Sequence, residues 1–85
     1  MSTKNYLVCK VDLFNLDQQI YSVTEAGQQK IADVPLDRVA ETIGALSFMK
    51  KINNIHLFGN EEYLDSIVET IRTTYGNDQI EIEVN

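Results

Sequence analysis

The sequence has one cysteine, one histidine and seven Lys and Arg residues among 85, and each shortage closes off a class of function. With Cys9 alone, no disulfide can form within the chain, so a reducing compartment is expected. His56 as a general base or metal ligand would need a partner, and no second His or suitably spaced Cys exists. No Ser-His-Asp ordering can be argued either, because that single His has no flanking motif. Seven basic residues against thirteen acidic ones leave a net charge of −6. Binding a phosphate backbone needs clustered Lys and Arg, and here acids are interleaved everywhere, so nucleic acid is not expected as a partner. The apolar run at the N-terminus, Tyr6 to Cys9, is too short for a signal-peptide core, and no stretch approaches a membrane span. A cytoplasmic location without membrane association is the expectation.

What is present is ordinary for a globular chain. Apolar residues make up 44% and charged residues 24%, a balance that argues against disorder. The length allows one domain, residues 1–85, with a modest core.

Residues 6–14 (YLVCKVDLF) alternate Leu7, Cys9, Val11 and Leu13 against their neighbours and read as a strand. Asn15-Leu16-Asp17 supplies turn chemistry, and Ile20 to Thr24 is a second strand. Glu25-Ala26-Gly27 is a hairpin connection with Gly27 as its positive-φ residue, and Gln28 to Val34 returns as a polar third strand. Pro35 suits the first turn of a helix, with Leu36, Val39, Ala40, Ile43 and Leu46 at helical spacing and Lys50-Lys51 in the last turn. Ile55 to Phe58 is short and almost wholly apolar, as expected of a strand covered on both faces. Asn60 is a good N-cap for a helix carrying Leu64, Ile67, Val68 and Ile71 on its apolar stripe and stopping at Gly76. Ile80, Ile82 and Val84 alternate with Glu81 and Glu83 in a last, half-covered strand.

The order is β-β-β-α-β-α-β. Right-handed crossovers make the last two strands parallel to a neighbour, and the first three form an antiparallel meander. The expected fold is α/β: a five-stranded mixed sheet in order 3-2-1-4-5 with two helices covering it.

From Tyr6 to Val84 this element order resembles the ribonuclease H-like fold, shared by ribonuclease H, many nucleases and the actin-like ATPases. Within it, IHLFGNEEYLDSIVETI looks like the family's fourth strand running into its next helix. The resemblance implies carboxylates converging on two divalent ions, which activate water and stabilise the leaving oxygen. Asp12 matches the family's first-strand Asp, and Glu41 is the nearest candidate for its helix Glu, although Arg38 falls closer by spacing. The strand-four Asp falls on Asn60, a poor metal ligand, and the family's final acid-bearing helix has no counterpart before Asn85. The ATPase branch needs a glycine-containing phosphate hairpin, and Asp12 to Asp17 has no glycine and two acids.

The leading functional expectation is therefore a non-catalytic domain that binds another protein, without cofactor. Short acidic domains of this kind are often phage or accessory-operon proteins, and such an origin is expected. In an open sheet with parallel strands, ligands bind beyond the carboxyl ends where connections diverge. That place, between strands one and four, should be lined by Phe14, Asn15, Asn60, Glu61 and Tyr63 with Asp12 close behind. One alternative is a nuclease or resolvase remnant using Mg²⁺ or Mn²⁺ on Asp12 and Glu41. Another is an acidic decoy of a DNA-binding protein. The terminal strand edge, Gln79 to Val84, could also pair across a two-fold axis as a homodimer.

Overall fold

Leu7 and Cys9, wholly buried, alternate along the first strand with the half-buried Tyr6 and Val8, and the same alternation marks the three central strands of the sheet but not its two edges. The computed structural model of the protein describes residues 5–77 and 79–84. Its strands are β1 (Tyr6–Lys10), β2 (Asp17–Thr24), β3 (Gly27–Pro35), β4 (Asn54–Gly59) and β5 (Ile80–Val84). Its helices are α1 (Val39–Lys50), entered through a 3-10 turn at Leu36–Arg38, and α2 (Glu61–Tyr75). The sheet order is β3-β2-β1-β4-β5. β2 is antiparallel to β1 and β3, whereas β4 is parallel to β1 and β5. The α/β class, the mixed sheet and its strand order are as the sequence led us to expect.

The registers decide which side chains share a face. Leu7 stands beside Ile55 and Cys9 beside Leu57, and all four are buried under the helices. Ile20 of β2 lies opposite Cys9 and continues this layer. Val39 and Ile43 of α1 and Leu64, Ile67 and Ile71 of α2 complete the core from above. Each such side chain taken out of water contributes about 1.5–3 kcal/mol. The two helices pack on each other, and right-handed crossovers put both on the same face.

The other face carries Tyr6, Val8, Tyr21, Val23, His56 and Phe58, all half-buried. β4 is therefore covered on one side and not on both, which corrects the expectation drawn from its apolar run. Its apolar second face has another explanation. His56 stacks on Tyr6 in the neighbouring strand, with ring centroids 4.5 Å apart and planes 22° from parallel. The His56 Nε2 also lies 3.3 Å from the Glu81 carboxylate of β5, an ion pair when the ring is protonated.

The strand ends differ from the sequence reading for local reasons. β1 stops at Lys10 because Asp12 bends the chain. β3 runs on through Pro35, which pairs with Asp17 and has extended backbone (ψ 158°). As the last residue of an edge strand it needs no ladder N–H. Asn60 caps α2 by accepting the Glu62 N–H at 3.0 Å, and Gly76 ends that helix in the left-handed region. Among the described residues no helix is long and apolar enough to cross a membrane.

Candidate functional site

The chain leaving β1 is held from within. Val11 still donates its N–H to the Phe58 carbonyl at 2.8 Å, one step past the β1–β4 ladder, and is buried. Asp12 then turns the backbone. Its Oδ1 accepts the Phe14 N–H at 3.0 Å, its Oδ2 accepts from Asn15 Nδ2 at 3.2 Å, and its carbonyl accepts the Asn15 N–H at 3.2 Å. Short acidic side chains favour this self-contained turn because the carboxylate replaces a main-chain acceptor. Gln18 closes the loop from the opposite strand. Only 1% exposed, it accepts the Asp12 N–H at 2.7 Å through Oε1, and its Nε2 donates to the carbonyls of Asp12 (2.9 Å) and Asn15 (3.2 Å).

A loop so tied down presents its apolar side chains outward. Phe14 is 97% exposed and Leu16 93%, with Leu13 at 50% beside them. Single exposed apolar residues are common on any protein. Three within residues 13–16, on a hydrogen-bonded loop, make a projecting patch that its own domain does not use. Fixing the loop in advance lowers the ordering entropy lost on binding.

Of the residues expected to line a site, Asp12, Phe14 and Asn15 belong to this loop, and Asn60, Glu61 and Tyr63 open α2. The crevice between β1 and β4 is occupied by the chain itself. Gly59 has φ 147°, and a Cβ placed there would stand 2.9 Å from the Val11 carbonyl oxygen. Asn60 spends its side chain on the cap, and Glu61 lies exposed in the first turn. Tyr63 lines a shallow cleft of about 430 Å³ with Leu36, Asp37, Ser66 and Ile67. A second depression of about 310 Å³ lies over Asn54, His56, Gln79, Ile80 and Glu81 at the sheet's other end.

The two residues of the metal alternative, for Mg²⁺ or Mn²⁺, are engaged elsewhere. Both carboxylate oxygens of Asp12 serve the loop, and Glu41 is an exposed partner of Arg38 at 3.7 Å. Hard divalent cations take several oxygen donors. Among the described residues no three His, Cys, Asp or Glu side chains are grouped to hold one. Cys9 is no better placed for chemistry, since burial under the helices pushes its thiol up to about 12 and keeps it protonated.

The surface holds a second apolar patch, to which the sequence pattern does not point. At the end of α1 the usual arrangement is inverted. Ser47 is buried and donates to the Ile52 carbonyl, while Asn77 Nδ2 donates to its hydroxyl at 3.1 Å. Phe48 and Met49 point to solvent, 82% and 74% exposed, directly before Lys50 and Lys51. The available signal was the spacing Val39, Ile43, Ser47, which places the serine on the inward stripe and the two apolar residues off it.

No protein-family model and no curated protein sequence matches this chain.

Proposed function

We propose that this chain is a non-catalytic protein-binding domain whose contact element is the loop Leu13-Phe14-Asn15-Leu16. The observation that carries the reading is the near-complete exposure of Phe14 and Leu16 on a loop held by hydrogen bonds at Asp12, the Phe14 N–H and the Asn15 backbone. Anchor residues of protein interfaces are large, apolar or aromatic, and preorganised. Asp12, Asn15 and Gln18 act here as positioning residues. The strand order 3-2-1-4-5 and the β-β-β-α-β-α-β succession support a ribonuclease H-like reading of the fold, kept as a scaffold without that family's chemistry. Asn60 in the place of the strand-four Asp, serving as a helix cap, fits this view.

The test is affinity capture from lysate of the source organism, with and without nuclease, using the wild type and Phe14→Ser. We expect a protein that stays bound after nuclease treatment and is lost with Phe14→Ser. Undiminished capture by the variant would overturn the proposal, as would the absence of any specific protein together with a purified chain that stays monomeric at millimolar concentration.

A further inference from the structure

The two ends of the molecule differ in character. The loop lies at the carboxyl ends of β1, β4 and β5, where α1 and α2 also begin. The exposed acids Asp12, Asp17, Asp37, Glu61 and Glu62 gather at this end. Of the cations there, Arg38 is engaged with Glu41, and Lys10 ends β1 on the uncovered face of the sheet. The end of α1 lies at the opposite pole, since α1 runs back to the start of β4. There Phe48 and Met49 are exposed beside the exposed Lys50 and Lys51.

We infer that the partner of the loop is a second copy of this chain, with Leu13, Phe14 and Leu16 of one copy docking on Phe48 and Met49 of the next while Asp12 and Asp17 face Lys50 and Lys51. The inference rests on the protein-binding reading of the loop and names its occupant. Three observations support the pairing. Each patch is apolar and largely exposed, with Leu13 alone half covered by its own domain. Their flanking charges are opposite, which favours encounter and register. They lie at opposite poles, so one copy cannot satisfy its own loop. An external partner would have to supply an apolar surface rimmed by lysines, and this chain already carries one.

With the two patches at opposite poles, copies stack head to tail, the loop of one against the helix end of the next, and such a heterologous contact extends into a ring or a filament. Like-charge repulsion between whole molecules of net charge −6 opposes assembly at low salt, whereas the local contact is attractive. The association should accordingly be weak, detectable at high micromolar concentration and above.

The experiment is sedimentation of the purified full chain from micromolar to millimolar concentration, alone and as paired variants. Phe14→Ser removes the loop's anchor and Phe48→Ser removes the receiving patch. Both residues are largely exposed, so both variants should fold, which circular dichroism checks. The wild type should gain mass with concentration and pass beyond two copies. Each variant alone should lose association by at least about tenfold. Their equimolar mixture keeps one intact loop and one intact patch, and should form a 1:1 dimer that grows no further.

A wild type that stays monomeric at millimolar concentration would overturn the inference, as would variants that associate as well as wild type, or a mixture that stays monomeric. A two-fold dimer through the β5 edge would give the second of these. If purified protein stays monomeric while Phe14→Ser still loses a captured lysate protein, the self-association falls and the loop's binding role stands. If the variant keeps both its mass and its captured protein, both readings fall.

Discussion

Tyr75, the last residue of α2, covers Gly44 in the middle of α1. A Cβ on Gly44 would overlap the Tyr75 ring, and the Tyr75 hydroxyl donates to the Glu41 carbonyl at 3.2 Å, one turn before the glycine. The absence of a side chain at position 44 is what lets the two helices seat on each other over the sheet.

This predicts an effect that changes sign. Alanine is favoured over glycine inside a helix by about 1 kcal/mol. In the wild type, Gly44→Ala should nevertheless destabilise the protein, because the Tyr75 ring must move and give up its contact. In a Tyr75→Ala background the same substitution should stabilise by about 1 kcal/mol. Urea unfolding of the four proteins checks this, and a stabilising effect in both backgrounds would show that the ring yields freely.

Gln18 is the hinge between fold and function. Gln18→Leu keeps a buried side chain of similar size but removes the acceptor of the Asp12 N–H and one donor to each of the Asp12 and Asn15 carbonyls. We expect a loss of about 1–3 kcal/mol. Amide exchange at Phe14 and Asn15 should accelerate more than exchange in β4. Unchanged exchange in the loop would mean that the Asp12 turn alone orders it.

Much of the fold was legible because its signals are local. Asn60 before two glutamates and Gly76 after Tyr75 mark the ends of α2 by capping chemistry that needs no partner from elsewhere in the chain. The strand order followed from the handedness of crossovers. Less legible were the places where a distant residue decides. Leu13 continues the apolar alternation of β1, and the turn held by Asp12 and Gln18 takes it out of the sheet. His56 and Phe58 look like core in a list of apolar neighbours, yet they sit on the open face, with His56 stacked on Tyr6, 50 residues away in sequence. The candidate site was legible in part. Their place at the strand ends points to Phe14 and Asn15, while the sequence pattern puts Leu13 in a strand, Leu16 in a turn and Phe48 in a helix. Exposure is set by what packs nearby, and sequence pattern alone does not report it.

Gly59 and Gly76 make a controlled comparison. Both have positive φ, 147° and 68°, but an added Cβ at Gly76 meets nothing within 4 Å whereas at Gly59 it meets the Val11 backbone. Gly76→Ala should cost about 1 kcal/mol, the ordinary penalty for a left-handed residue. Gly59→Ala should cost more, up to about 3 kcal/mol, since its backbone conformation is hostile to any side chain and Val11 must shift as well. Equal costs for the two would mean that the chain after β1 yields without resistance, and that the Val11–Gly59 approach does not anchor the loop.

Cys9 supplies the pH dependence. Its thiol, buried between the sheet and the helices, is raised from an ordinary value of 9.0 to about 12 by loss of solvation. The folded state therefore holds the proton more tightly than the unfolded chain does. The stabilisation is fully present below pH 9 and is lost as pH rises from there towards 12, because the unfolded state alone gains by ionising. The slope in that window should approach 1.4 kcal/mol per pH unit for this group. Lysines and tyrosines titrate in the same range, so the useful quantity is the difference between wild type and Cys9→Ala. The variant starts less stable because a buried side chain is shortened, and the gap should narrow steadily above pH 9. A gap that stays constant to pH 11 would show that the Cys9 thiol ionises in the folded protein as readily as in the unfolded one, and that the layer over β1 admits water.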